Sequence, residues 1–144
     1  MSRKKRVSKK PDNIKIKEPD KPLHYPVLCF KHLTKNKKFN IKYFRDDKEK
    51  LKAYGSFFYL VGSIQETDWL TLYQKSKASG LETIPSNQIN FKPYNYKLTP
   101  DEKVIVFRFY HGKYRLIGVK SAKNKDVLHV LGFDFDHSAY DHGK

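Results

Sequence analysis

Residues Lys103 to Gly143 read KVIVFRFYHGKYRLIGVKSAKNKDVLHVLGFDFDHSAYDHG, and the reading of this stretch decides the fold. It holds three runs of strand composition, Val104 to Tyr110, Tyr114 to Lys120 and Val127 to Phe135, each rich in β-branched and aromatic residues and bounded by turn chemistry. Together they predict an antiparallel meander. Gly112 supplies the positive φ that a tight hairpin needs between the first two runs, and the polar, lysine-rich Ser121 to Asp126 reads as an exposed loop before the third.

The register of the first hairpin decides which side chains share a face, and a two-residue loop, His111-Gly112, would set it. Tyr110 then faces Lys113, Phe109 faces Tyr114, Arg108 faces Arg115 and Phe107 faces Leu116. One side of the sheet carries Ile105, Phe107, Phe109, Tyr114 and Leu116, which is a core. The other carries Val106, Arg108, Tyr110, Lys113, Arg115 and Ile117. Two arginines directly opposed on a sheet repel at a cost of roughly 0.2 to 1 kcal/mol unless an anion bridges them. A phosphate would serve. The bland alternative is a pair of solvated strand residues, or a three-residue loop that shifts the register and parts them.

Beyond the third run, Asp134, Asp136, His137, Tyr140, Asp141 and His142 fall within nine residues. A tyrosine and two histidines beside an arginine-bearing sheet can donate, accept and shuttle protons near neutral pH, which is what metal-free phosphodiester cleavage requires. Two other readings stand beside it. One is a polar, half-ordered terminus whose histidines do nothing. The other is a divalent-cation site built from Asp134, Asp136, His137, Asp141 and His142, for which no recognised ligand spacing exists, so no metal is expected.

Composition points the same way. At 144 residues the chain suits one domain with a real core, and with 15% aromatic residues that core should lean on Phe and Tyr. Thirty Lys and Arg against fifteen Asp and Glu give a net charge of +15, which implies a polyanionic partner. Residues 1–22 hold nine basic and three acidic residues, so most of the excess charge belongs to the body. This tail has too few branched apolar residues to bury anything and is expected to be disordered. Its Arg3, Lys4, Lys5 and Arg6 fit a basic arm that binds RNA by counterion release, or a merely solubilising segment. The lone Cys29 in an apolar run reads as a buried thiol in a reducing compartment. No apolar run approaches the roughly 18 residues of a membrane span, and no apolar stretch follows the N-terminal charges, so no membrane partner and a cytoplasmic location are expected.

Upstream of the meander, Val27 to Phe30 reads as a short strand, and Phe39 to Phe44 alternates with period two as a second or bent strand. From Asp46 or Asp47 as cap, Leu51, Tyr54, Phe58, Val61 and Ile64 recur at helical spacing. A second short helix starts at Thr67 and runs to about Ser79, with Trp69 as a core anchor and Gly80 as its end. Thr83 to Phe91 contains a proline and is at best an edge strand. In the following loop Tyr94 and Tyr96, interleaved with Lys92 and Lys97, can stack on bases, although packing of the tyrosines on the sheet is the commoner outcome. The expected architecture is a single α+β domain over residues 23–144, with an antiparallel sheet of about four strands on a pair of short helices.

The order strand, helix, helix, meander, followed by proton-carrying residues, resembles the RelE/ParE superfamily of bacterial toxins. The run RLIG, Arg115 to Gly118, followed by VLHVLGFDFDHSAYDHG is similar to the closing strands of those toxins. The resemblance spans residues 26–143 coarsely and 104–142 at the level of motif. It implies cofactor-free cleavage of messenger RNA, often on the ribosome, and an acidic antitoxin as partner. A sheet arginine, Arg108 or Arg115, would stabilise the transition-state phosphate, and the stretch Tyr140, Asp141, His142 would handle protons. Two departures stand out: about twenty irregular residues between the helices and the meander, and no clean counterpart of the lysine-rich catalytic element found in some members.

Three readings follow. In the enzyme, His137 or His142 takes the 2′-hydroxyl proton, Arg108 and Arg115 neutralise the phosphorane, and Tyr140 or the other histidine protonates the leaving oxygen. Lys92, Lys97, Tyr110 and Lys113 would contact the flanking RNA. In the second, the same cations make a silent RNA- or ribosome-binding module. In the third, an interaction protein of a phage or mobile element, surface aromatics carry the function.

Overall fold

In a computed structural model of the protein the described residues are 23–75 and 80–140. Five strands form one sheet: β1 (Val27–Cys29), β2 (Leu81–Pro85), β3 (Lys103–Phe109), β4 (Tyr114–Lys120) and β5 (Val127–Asp134). Two helices, α1 (Asp47–Gln65) and α2 (Trp69–Gln74), connect β1 to β2. The strand order is β1-β5-β4-β3-β2, so the meander is the centre of the sheet. β1 lies parallel to β5, whereas all other pairs are antiparallel. The fold is α+β as expected, but the sheet is mixed and has five strands rather than an all-antiparallel four. β1 can pair only after two helices have carried the chain across the sheet, which no local pattern announces.

The first hairpin has the anticipated register, with Phe107 opposite Leu116, Arg108 opposite Arg115 and Phe109 opposite Tyr114. Lys113 N–H donates to Tyr110 O at 3.0 Å, and φ is 53° at Tyr110, 54° at His111 and 82° at Gly112. The positive φ at His111 and Gly112 is what a two-residue turn matched to strand twist requires. The positive φ at Tyr110 breaks strand alternation. Tyr110 therefore does not join Arg108 on the second face. It stacks on Tyr114, with ring centroids 4.9 Å apart, beside the helix-side core.

That core packs Ile105, Phe107, Phe109, Leu116, Leu128, Val130 and Phe133 against Ala53, Ile64, Trp69 and Leu72. Trp69 is buried, and its indole N–H donates to Asp126 O at 3.1 Å. α1 is rotated relative to the expected face: Ala53, Phe57, Leu60 and Ile64 turn inward, while Leu51, Tyr54, Phe58 and Tyr59 are exposed. Asp46 caps it, accepting from Glu49 N–H at 3.0 Å. The second helix has Asp68 rather than Thr67 at its N-cap position and ends at Gln74, where Lys75 is extended, short of the expected Ser79.

Among the described residues the opposite face of the sheet carries no α-helix. It is covered by irregular chain: a 3-10 turn at Lys37–Phe39, a second at Ser86–Gln88, the segment through Leu98, and residues 136–140. Phe39 and Phe91 stack at 5.0 Å over Val106, Ile117 and Leu131. Residues Phe39 to Phe44, read as an alternating strand, are instead this turn and its exit, with Phe39 buried and Ile41 exposed. Of the roughly twenty residues before the meander, Leu81–Pro85 form the edge strand β2 and those that follow are the second covering layer, which explains their length.

Candidate functional site

β4 and β5 slip by one residue between Ile117 and Gly118: Ile117 pairs with Gly132 and Gly118 with Val130, leaving Leu131 as a bulge. A bulge inserts one residue and reverses the facing of everything after it. Leu128 and Val130 point to the helices, and Phe133 does so as well only because of the bulge. Asp134 is thereby delivered to the second face, opposite Arg115. Along this end of the sheet Asp134, Arg115 and Arg108 stand side by side on β5, β4 and β3. Glu82 joins them from β2, where it pairs with Val106, two residues before Arg108.

The side chains form a linked set. Arg115 is 5% exposed; its Nε donates to Tyr140 Oη at 3.1 Å and its Nη1 to Gly112 O at 3.0 Å. The Tyr140 hydroxyl donates in turn to Glu82 Oε2 at 3.1 Å, and Glu82 Oε1 lies 3.8 Å from Arg108 Nη2. Arg108 is about one-third exposed, and its buried Nε–H finds no hydrogen-bond acceptor. Burial first, and the Glu82 carboxylate second, push the Tyr140 phenol up to about 12, so it holds its proton throughout the neutral range.

The segment after β5, residues 136–140, is held against the sheet by hydrogen bonds. Asn90 N–H donates to Ala139 O at 2.8 Å and Asn90 Nδ2 to Ser138 O at 2.9 Å. Ser138 N–H is received by Asp134 Oδ1 at 3.0 Å, and the Ser138 hydroxyl is held by Asp136. Tyr140 thus sits at a fixed position. His137 is exposed in the turn between, with a φ of 64°.

Of the expected site residues, the fold brings Arg108, Arg115 and Tyr140 together on one face. His142, like Asp141, lies outside the described residues, as do Arg3, Lys4, Lys5 and Arg6. Lys92 and Lys97 are exposed on the covering segment. Tyr96 is half-buried there with its hydroxyl on Glu102, whereas Tyr94 is exposed beneath Lys35 Nζ at 4.4 Å. Lys113 is exposed in the hairpin turn, its Nζ 5.7 Å from the Tyr110 ring. Sequence reasoning missed Glu82, because a single carboxylate in LETIP has no signal until β2 is known to flank β3. Among the described residues no group of three or more His, Cys, Asp or Glu side chains is arranged to hold a metal ion, and no helix is long and apolar enough to cross a membrane.

A second cationic feature lies between β1 and α1. Lys37, Lys38, Lys42, Tyr43 and Arg45 line an open cleft of about 360 Å³. All four cations are exposed. Comparison of the chain with protein-family models, with curated proteins and with solved structures finds no match to any of them.

Proposed function

We propose that the protein is an RNA endonuclease of the RelE-like toxin type, using side chains rather than a cofactor to cleave messenger RNA, with the ribosome as a setting and an acidic antitoxin as its counterpart. The observation that carries this reading is the chain of contacts from Arg115 through the Tyr140 hydroxyl to Glu82, with Arg108 against the same carboxylate. Cleavage needs a base for the ribose 2′-hydroxyl, positive charge for the phosphorane and an acid for the leaving 5′-oxygen. Glu82 is an anionic acceptor suited to the first role. Arg108 and Arg115 suit the second, and a phenol that stays protonated suits the third. A phosphate arriving at the arginines would compete with Glu82 for the partly exposed guanidinium of Arg108.

A non-catalytic RNA-binding module is the second reading, favoured by the burial of Arg115 and Tyr140, which is also what a purely structural tie would show. Incubating purified protein with RNA separates the two. The enzyme predicts products ending in a 2′,3′-cyclic phosphate, lost in Glu82→Gln and Tyr140→Phe by roughly 10²- to 10⁴-fold each, the range for general acid or base groups. Intact RNA with the wild-type protein, both free and with ribosomes, would leave only the binding module.

A further inference from the structure

We infer that the cleft lined by Lys37, Lys38, Lys42, Tyr43 and Arg45 is a phosphate-binding site for the backbone of single-stranded RNA flanking the bond to be cut. It rests on the RNA-directed reading above and adds where the strand is held.

The cleft is built on a pinned loop. β1 pairs with β5 only at Val127 to His129, and past Cys29 the chain turns away and returns to cover the remaining edge, Thr34 N–H donating to Leu131 O at 2.8 Å. Thr34 and Asn40 are buried polar residues. Thr34 Oγ1 donates to Lys92 O at 2.7 Å, Asn40 Nδ2 donates to Thr34 O at 3.0 Å, and Lys42 N–H donates to Asn40 Oδ1 at 2.8 Å. Between them Phe39 is driven into the second core. The backbone carrying Lys37, Lys38 and Lys42 is therefore held at both ends, and their charges cannot separate freely.

Asp46 and Asp47 follow along the chain, Asp46 accepting from Glu49 N–H as the cap of α1 and Asp47 lying 4.0 Å from Lys50. None of the four cations forms an ion pair with a described residue. Four like charges on a rigid rim raise the local potential for an anion, and a cleft at the small end of the ligand-pocket range admits a nucleotide-sized one. Tyr43 adds a hydroxyl whose proton is retained, because burial and the Asp136 and Asp134 charges raise its pKa. The same tyrosine gives the direction. Its ring packs on Phe135 at 5.5 Å, and Phe135 directly follows Asp134, the partner of Arg115. A strand leaving the arginines around the end of β5 thus meets this cleft next.

The test uses the full chain and a short fluorescein-labelled 2′-O-methyl RNA, which cannot be cut by 2′-hydroxyl attack, so binding is read apart from cleavage. Affinity is followed by anisotropy against salt for the wild type, for Lys37→Gln/Lys38→Gln/Arg45→Gln, and for Lys48→Gln/Lys123→Gln/Lys125→Gln as an equal change of charge elsewhere. Each phosphate contact contributes a slope of about 0.7 for single strands, so loss of three should flatten the salt dependence by about 2 in the cleft variant alone. Equal flattening in both variants, no flattening in either, or no binding by the wild type would each overturn the proposal. A flattened slope in a protein that cuts no RNA would sink the nuclease and keep the cleft; cleavage with an unchanged slope would do the reverse.

Discussion

Arg108 and Arg115 stand directly opposite each other on neighbouring strands, and the residues that surround them decide why that pairing is tolerated. Glu82 lies 3.8 Å from Arg108, and Asp134 pairs with Arg115 across the next strand. The two cations thus stand adjacent with a carboxylate at each end of the row. Tyr140, whose hydroxyl bonds to both Arg115 and Glu82, ties the chain's end to the row.

Removing Arg115 should cost more stability than removing Arg108. Arg115 makes two hydrogen bonds in a buried setting, each worth about 1.5–3 kcal/mol when charged, whereas Arg108 is partly solvated and its ion pair is long. Urea unfolding should show Arg115→Met less stable by about 3 kcal/mol and Arg108→Met by no more than about 1 kcal/mol. Equal losses would mean the contacts of Arg115 are not formed in solution.

Alkali should unfold the protein through its tyrosines. Tyr140 is pushed up to about 12 by burial and Glu82, and Tyr96 to about 12 by burial and its bond to Glu102, against an ordinary value of 10.0. A raised folded pKa favours the protonated form, so this stability is complete below pH 10 and is lost as pH rises through 12. The Tyr140 share is on the order of 2 kcal/mol. In Tyr140→Phe the fall in stability between these pH values should be correspondingly shallower.

Gly118 should not accept even alanine. A Cβ there would stand 2.6 Å from His129 O and 3.0 Å from a Leu128 side-chain carbon, and the first of these is backbone that cannot step aside. Gly118→Ala is expected to destabilise by about 1–3 kcal/mol, as overpacking does. Because the bulge delivers Asp134 to the arginine face, the variant should also alter the amide NMR shifts of Asp134 and Arg115.

Asn40→Ala should loosen the cationic loop. It removes a side chain that satisfies both Thr34 O and Lys42 N–H at a buried position. A loss of about 2 kcal/mol follows from leaving buried polar groups unmatched. Hydrogen exchange at the Lys42 amide should quicken, while exchange at Val106 in the sheet centre should not.

Much was legible from local pattern. Gly112 with period-two alternation on either side pointed to the hairpin, and the two-residue loop, not the three-residue one the sequence also allowed, opposes Arg108 to Arg115. Trp69 and Phe107 as core followed from the apolar residues around them. What stayed hidden depended on residues far apart in the chain. Leu51, Tyr54 and Phe58 recur at helical spacing, and so do Ala53, Phe57, Leu60 and Ile64, so α1 has two apolar stripes, and only the sheet it lands on chooses between them. The parallel pairing of Val27 with Val127 joins distant segments that carry no mutual signal. Phe39 and Phe91, in segments whose local pattern suggested strands, meet in irregular chain over Gly132 because the sheet's second face needs a cover.

By itself, then, the order of residues determined the meander and the excess of positive charge, because alternation and charge are properties of neighbours or of totals. Tertiary structure alone decided that Glu82 and Tyr140 meet at Arg115, and that Lys37, Lys38, Lys42 and Arg45 share one cleft. Those meetings depend on strand order, on one bulged residue in β5 and on a pinned loop, and each is set by packing between segments that are remote along the chain.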